Sequence, residues 1–334
     1  MKKILVISND EIYSDKNVIS AKFNDILNIL QALSKNFRVF LISKKTSNKK
    51  YHKLVLKNFV QQVTFKFINK YYDKENLKIL IVSVTPRNFI IFCLLNFIIK
   101  DLSGYVYLRS NGHKEYYSKL NIFGYLFYDL MLKKICKKLK VISVSEKIQS
   151  YRMDYLVKPS ELNEKWFKNR SYPNLDKVNL LYLGRFKKEK GVFSLIKLIS
   201  KIKIDYRLTL AGENKNIFIN NLNVNFMGQI SEVEQLINLY DQHNIFILPS
   251  FTEGSPKVVL ESLARKRPVI IFPDIKHVKS NYRGVFECKR DSQSLENIIK
   301  YILKNYKKIQ NEMKNNLLYQ KEDFQNDLVK IVNG

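Results

Sequence analysis

The stretch Ile245-Phe-Ile-Leu-Pro-Ser-Phe-Thr-Glu-Gly-Ser-Pro-Lys-Val-Val-Leu-Glu-Ser-Leu-Ala264 decides how the rest of this chain is read. Its first four residues are apolar and short enough for a buried strand. Ser255 then predicts an N-cap, Pro256 the first helical position, and the apolar spacing a helix through Ala264. The free N–H groups of a helix start make a ready anion site. Glu253 in the loop and Glu261 inside the helix add carboxylates that accept hydrogen bonds from hydroxyls. Anion-binding amides flanked by such carboxylates suit a ligand carrying both phosphates and sugar hydroxyls.

Upstream, Val178-Asn-Leu-Leu-Tyr-Leu-Gly-Arg-Phe-Lys-Lys-Glu-Lys-Gly191 reads as another strand running into a basic loop. Arg185 offers a planar fork to diphosphate oxygens and Lys190 a compact charge beside it. Gly184 permits close backbone approach, and Gly191 suits a tight entry into the next helix. Between the two stretches lie a helix at Phe193–Lys203, a strand at Arg207–Gly212, a short strand ending at Gly228 and a helix at Glu232–Gln242. A strand at Pro268–Phe272 follows, and the segment from Glu296 onward is expected to be mainly helical and basic. Alternating strands and helices predict an α/β class with parallel sheets. His243 and His277 are expected to be structural or surface residues.

The first half repeats the pattern. Strands are expected at Ile4–Ser8, Arg38–Ile42, Lys78–Ser83, Gly104–Leu108 and Val141–Glu146, with helices at Ser20–Ser34 and Asn88–Lys100. Residues 44–78 are expected to hold a helix, a short strand near Val63–Ile68 and loops. Ligand-facing residues concentrate at the carboxyl ends of strands in such sheets. That rule selects Asn9 and Asp10 after the first strand, with Ser14–Ser20 as a loop lacking glycine. It also selects Arg109, suited to an anionic acceptor group. Glu161–Pro173 reads as the linker between two domains.

With 334 residues and 46% hydrophobic content, the chain has enough material for two packed domains. Cys93, Cys136 and Cys288 show no CxxC spacing, which fits a reducing compartment and no zinc site. The four histidines form no metal constellation. The net charge of +28 favours anionic partners, or else reflects a lysine-rich composition inherited from an AT-rich genome. No nucleic-acid-binding signature accompanies the charge, so no nucleic acid partner is expected. Met1–Ser8 lacks the length and cleavage pattern of a signal peptide, and Phe89–Ile99 is too short to span a bilayer. A cytoplasmic protein, peripheral on the inner face of the cell membrane, is the expectation. Aromatic and basic residues alternate over Tyr116–Lys140, and a helix at Phe123–Lys138 is expected either to sit on anionic lipid or to pack on the core with a solvated basic side.

The two quoted stretches together resemble the signatures of the GT-B retaining glycosyltransferases, specifically the GT4-like group (glycosyl transferases group 1). Glu253-Gly-Ser-Pro-Lys-Val-Val-Leu-Glu261 matches that family's pair of glutamates, with Ser262 where a small alanine is usual. Gly184-Arg185 and Lys190-Gly191 match its second signature. Pro159 matches a further position, but the Asn-Gly that usually follows is absent, as is the glycine-rich loop after the first strand. The resemblance implies two Rossmann-like doubly wound parallel-sheet domains facing a central cleft. They would be an acceptor domain at 1–160, a donor domain at 174–314, and a last helix at 315–334 crossing back to the first.

It implies transfer of a sugar from a nucleotide-sugar donor, UDP- or GDP-linked, with retention. Arg185 and Lys190 would neutralise the leaving diphosphate. The helix start at Gly254, Ser255, Pro256 and Lys257 would add fixed dipoles. Glu253 would hold sugar hydroxyls and Glu261 ribose hydroxyls, and the loop around Gly228 would seat the base. His113, in the segment where relatives place a sugar-facing residue, is the expected catalytic histidine; the alternative is an exposed loop residue. No Asp-x-Asp motif is present and no metal or other cofactor is expected. The acceptor would be a glycan or lipid-linked glycan in surface polysaccharide assembly, lipopolysaccharide O-antigen or capsule. The competing readings are a GT-B-fold sugar-nucleotide epimerase or hydrolase, and a non-catalytic basic protein bound peripherally to membranes.

Overall fold

Lys2–Asp15 (β1) carries Ile4, Leu5, Val6 and Ile7 in succession, all fully buried. An unbroken apolar run marks a strand covered on both faces, as in a parallel sheet. The computed structural model describes residues 2–15, 18–47, 52–56, 60–66, 77–146, 148, 150–213, 222–230 and 232–334. It divides into two units, Met1–Pro159 with Lys321–Gly334, and Ser160–Gln320.

In the first unit β1 is followed by Val18–Ala21 (β2), Asn24–Ser34 (α1), Phe37–Lys45 (β3), His52–Val55 (β4) and Val60–Gln62 (β5). Then come Lys78–Val82 (β6), Pro86–Ile98 (α2), Ser103–Leu108 (β7), Gly112–Cys136 (α3), Lys140–Ser143 (β8) and Tyr155–Leu156 (β9). The parallel strands lie in the order β5-β3-β1-β6-β7-β8-β9, so the winding reverses between β1 and β6.

Two expectations are corrected here. The first strand does not stop at Ser8: it continues to Asp15 and pairs antiparallel with β2 (Ile12 with Ala21, Asp15 with Val18). The segment expected as a glycine-free loop is therefore mostly a β-hairpin, and a hairpin arm needs no glycine. The β1–β3 register shifts between Ile7 and Glu11, which places a bulge at Ser8–Asp10. Bulges re-aim side chains beside functional sites. The short strand expected near Val63–Ile68 is found at β5 instead, and residues 67 and 68 lie outside the described residues.

The second unit opens with a 3-10 turn at Glu164–Phe167 and continues with Val178–Leu183 (β10), Val192–Ile199 (α4), Tyr206–Ala211 (β11) and Val224–Gly228 (β12). Val233–Asp241 (α5), Ile245–Leu248 (β13), Lys257–Ala264 (α6), Val269–Ile271 (β14), Val285–Glu287 (β15), Ser292–Lys304 (α7) and Tyr306–Met313 (α8) complete it. Its sheet runs β12-β11-β10-β13-β14-β15 with every described pairing parallel, and the winding reverses between β10 and β13.

The expected linker at 161–173 is folded into this unit. Trp166 is fully buried, with its ring edge-on to Tyr240. Arg265 donates to the carbonyls of Trp166, Lys168 and Asn169, and Arg267 to that of Ser171. Both guanidinium groups are buried and both pair with Asp241.

Lys321–Asn333 (α9) groups with the first unit and packs on α1. Phe324, Leu328 and Val332 are buried, and the Phe324 ring lies 6.3 Å from that of Tyr107. The carbonyls at its end, which have no partner within the helix, accept from Tyr105 (Ile331), Lys78 (Val332) and Lys2 (Asn333). No described helix is long and apolar enough to cross a membrane.

Candidate active site

Ligands of open α/β sheets bind beyond the carboxyl ends of the strands where the winding reverses. In the second unit those positions are the loop after β10, Gly184–Gly191, and the loop after β13, Pro249–Pro256. The chain ties the two together. Phe251 N donates to Glu189 O at 2.9 Å. Lys190 Nζ meets Glu253 Oε1 at 2.7 Å, and Ser250 Oγ donates to the same oxygen at 2.7 Å. Gly191 adopts φ +68°, and a Cβ there would lie 2.0 Å from the carbonyl oxygen of Pro249. Only glycine lets the two backbones approach this closely.

Arg290, three residues beyond β15, holds the second loop from the other side. Its Nη2 donates to the carbonyls of Pro249 (2.9 Å) and Ser250 (3.2 Å) and to Asp274 Oδ2 (2.8 Å). The guanidinium also stacks 4.0 Å from the Phe251 ring centre and 4.6 Å from that of Phe272. Nothing in the local sequence distinguishes Arg290. The carboxyl-end rule would have selected it had the three-residue strand β15 been recognised.

Arg185 is exposed, with no ion-pair partner among the described residues. Its carbonyl accepts from the Tyr182 hydroxyl at 2.9 Å, fixing the loop's first turn. Gly228 has φ +70° and open space around the position of a Cβ. Beside it Phe226 and Met227 are exposed, and Phe226 meets Phe186 edge-on at 5.3 Å. An aromatic edge next to an open glycine is a surface on which a flat ring can rest.

The N-cap of α6 is Pro256, not Ser255, and Pro256 brings no side-chain acceptor to the helix start. The start of an α-helix carries amide groups with no partner inside the helix, which suits an anion. Gly254, Ser255 and Pro256 are half-buried in the loop. Lys257 Nζ pairs with Glu161 Oε1 at 2.8 Å.

Glu261 is 7% exposed, and its Oε2 accepts from the Tyr240 hydroxyl at 3.0 Å. Burial pushes its carboxyl up to about 7, against the opposing pull of Lys257 and the Tyr240 hydrogen bond. Burial, with the Glu261 charge behind it, likewise raises the Tyr240 hydroxyl well above its ordinary value. Of the two glutamates, one is ion-paired in the loop and the other is a buried residue of α6.

In the first unit the bulge turns Asp10 onto Arg109, at 3.2 Å. Ser8 Oγ donates to Asp10 Oδ2 at 2.6 Å, and Arg109 Nε donates to Ser83 Oγ at 2.9 Å. Asn9 sits half-buried inside the bulge. The two acceptor-side candidates are therefore brought together as partners of each other. Arg109, expected to hold an anion, is already neutralised by Asp10.

His113 is not an exposed loop residue. It lies in the first turn of α3, 2% exposed, between the rings of Tyr125 and Tyr128. Its Nε2 lies 2.9 Å from Asp129 Oδ1, and Asp129 also accepts from Tyr151. The Tyr151 hydrogen bond first, and His113 with it, holds the Asp129 carboxyl below its ordinary value, though burial opposes this. His113 Nδ1 is buried without a protein partner. His243, expected to be structural, is buried with both ring nitrogens bonded, to Leu239 O and Thr209 Oγ1.

Residues 164–317 match the family described as Glycosyl transferases group 1. This match spans nearly the whole of the second unit. The chain is similar to TuaC of Bacillus subtilis (strain 168), a glycosyltransferase assigned to teichuronic acid biosynthesis, at 32% identity over 98 residues. That match covers 29% of this chain and 25% of TuaC. It is also similar to the N,N'-diacetylbacillosaminyl-diphospho-undecaprenol alpha-1,3-N-acetylgalactosaminyltransferase of Campylobacter jejuni. That match is 28% identical over 167 residues, covering 47% of this chain and 43% of the relative. The chain therefore matches less than half the length of each of these relatives. Among solved structures, Anabaena HepE in complex with UDP-glucose superposes with a TM-score of 0.69 at 13% identity, covering 100% of both chains. The two parallel-sheet units of this chain have the GT-B fold of that neighbour.

Proposed function

We propose that this protein is a retaining, metal-independent glycosyltransferase that moves a sugar from a UDP- or GDP-linked donor to a lipid-linked glycan in bacterial surface polysaccharide assembly, lipopolysaccharide or capsule. The observation that carries this reading is the joining of two distant signatures at one switch point. There Lys190 and Glu253 are paired, Arg185 has no ion-pair partner among the described residues, and α6 starts at Pro256 with no cap bond from that residue's side chain. Arg185, Lys190 and the α6 amides face the diphosphate and stabilise the charge that grows on it as the sugar departs. Glu253, released from Lys190, takes sugar hydroxyls. Glu261 takes the ribose hydroxyls and Gly228 lies under the base. These cations supply the charge that a metal would otherwise bring. The departing phosphate accepts the acceptor's proton, so no protein base is required. His113 donates to Asp129 through Nε2, which leaves Nδ1 as an acceptor for a hydroxyl of the sugar.

The UDP-glucose in the HepE structure and the undecaprenol-linked acceptor of the Campylobacter relative support the donor and acceptor classes. The test is a melting-temperature and transfer panel with UDP-, GDP-, ADP- and CMP-sugars, on wild type and Glu261→Ala, with and without EDTA. One donor should stabilise wild type and not the variant, and its turnover should survive EDTA. No stabilisation by any donor would overturn the reading, and loss of turnover in EDTA would overturn metal independence.

A further inference from the structure

Most of the exposed large apolar residues described in the first unit fall on two neighbouring helices, with Val18, Phe23, Val55, Tyr151 and Met153 elsewhere. On α2, Ile90, Leu94 and Phe97 stand at i, i+4 and i+7, one stripe of a helix, and Phe97 is 91% exposed. On α3, Phe123, Leu126 and Leu130 form a second stripe, with Phe123 78% and Leu130 67% exposed. The opposite sides of the same helices are filled: Phe92 and Leu95 of α2, and Tyr128, Met131, Leu132 and Ile135 of α3, are buried.

The topology sets the two stripes side by side. The β6-α2-β7 and β7-α3-β8 crossovers step the same way along the sheet. Right-handed crossovers then lay both helices on one face. The helices touch, with Lys134 Nζ of α3 lying 5.8 Å above the Phe89 ring of α2. A non-helical break at Leu120 and Asn121 resets the direction of α3 just before its stripe begins. A monomer's isolated surface leucines need no explanation, but a contiguous apolar face does.

What surrounds the face says what covers it. Below Leu130 the exposed positions of α3 are Lys133 and Lys134, with Lys137 and Lys138 just past its end, and Lys100 follows α2 beside the exposed Asp101. Large apolar side chains with lysines at one rim match the boundary of an anionic bilayer, where acyl chains lie beneath negative headgroups. A second copy of this chain is the poorer fit, because each copy carries a formal charge of +28 and would bring a like-charged rim to the contact. We infer that the α2/α3 face docks the protein on an anionic phospholipid bilayer, with Phe97, Phe123 and Leu130 entering the headgroup–acyl boundary and the α3 lysines on the phosphates. The sequence pointed to α3 alone, and the second stripe on α2 is visible only in the fold. The inference does not depend on donor chemistry.

Flotation of the full chain with phosphatidylcholine vesicles, with and without phosphatidylglycerol, tests it. Wild type should float only with phosphatidylglycerol vesicles, and less at high salt. Lys133→Gln with Lys137→Gln should lower the partition coefficient about thirtyfold, from roughly 1 kcal/mol per lysine. Phe97→Ser with Phe123→Ser should abolish the salt-resistant part, while an unchanged urea midpoint shows that these exposed sites leave the fold intact. Variants that bind phosphatidylglycerol vesicles as wild type does would overturn the inference, as would failure of wild type to float. So would a wild-type dimer in light scattering that Phe97→Ser dissociates. Vesicle binding without any nucleotide stabilisation would sink the glycosyltransferase reading and leave this one standing.

Discussion

Lys190 and Glu253 are 63 residues apart in the chain and 2.7 Å apart in space. The pair is sheltered, with side chains 19% and 11% exposed, so each charge leans on the other. Removing one partner strands the second in a poorly solvated setting. Lys190→Met should lower the unfolding free energy of the ligand-free protein by about 1–2 kcal/mol. Adding Glu253→Gln should recover part of that loss. In the same proteins a nucleoside diphosphate should bind about ten- to a hundredfold more weakly to Lys190→Met, since a charge-assisted contact is lost. Urea titrations and calorimetry read both; additive single and double variants would show that the pair is not coupled.

Gly191→Ala carries two penalties at once. An alanine at φ +68° costs about 1–2 kcal/mol. Its Cβ would also press on the Pro249 carbonyl, a backbone atom that cannot rotate away. A total loss above about 2 kcal/mol is expected, with a fall in donor affinity because the two loops separate. A urea midpoint unchanged from wild type would contradict this account of the close approach.

Arg290→Lys keeps the charge but not the fork or the stacking. The expected outcome is a protein that still pairs with Asp274 while the Pro249–Phe251 loop loosens. Turnover should fall about tenfold or more, and KM for the acceptor should hold. Arg290→Met should lose stability as well. If Arg290→Lys left turnover at the wild-type level, the residue would be a packing element and nothing more.

Glu261 gives a pH dependence with a definite sign. Its carboxyl holds the proton up to about 7 in the fold, against an ordinary value of 4.5. Folding therefore takes up a proton between those values, and stability falls as pH rises through that window. The fall amounts to about 3 kcal/mol and levels off above it. Glu261→Gln should remove this slope and match wild type at the acid end. Donor hydroxyls favour the carboxylate, so donor binding near pH 6 should release a proton, seen as a buffer-dependent heat. A wild-type stability curve flat from pH 4 to 8 would contradict the buried neutral carboxyl.

What the sequence conveyed and what it hid divide along physical lines. The parallel strands were legible because burial on both faces writes an unbroken apolar run, as in Ile4–Ile7 and Ile245–Leu248. The loops bearing Arg185, Lys190 and Glu253, and the helix after them that carries Glu261, were legible because their glycine and proline positions are backbone requirements. The hairpin arm Ser8–Asp15 was not, because all but Ile12 and Tyr13 of its residues are polar and its pairing with β2 is a tertiary choice. The 161–173 segment looked like a linker for a similar reason. Its anchors, Arg265 and Arg267, lie about a hundred positions away and satisfy backbone carbonyls, which no side-chain pattern announces. Pairings such as Asp10 with Arg109 and His113 with Asp129 were equally hidden, since spacing shows candidates and not their partners.

The placement of α9 has a consequence for how the protein is made. The first unit is left unfinished when residue 159 emerges from the ribosome, because the helix that covers α1 and reaches Tyr105 and Tyr107 is encoded after the whole of Ser160–Gln320. At typical elongation rates that gap is about ten to thirty seconds. Throughout it, apolar groups destined to meet Phe324, Leu328 and Val332 stay uncovered on the nascent chain, while the second unit is still being made. The unit synthesised first is thus completed last, and its open face is where a chaperone would find its hold.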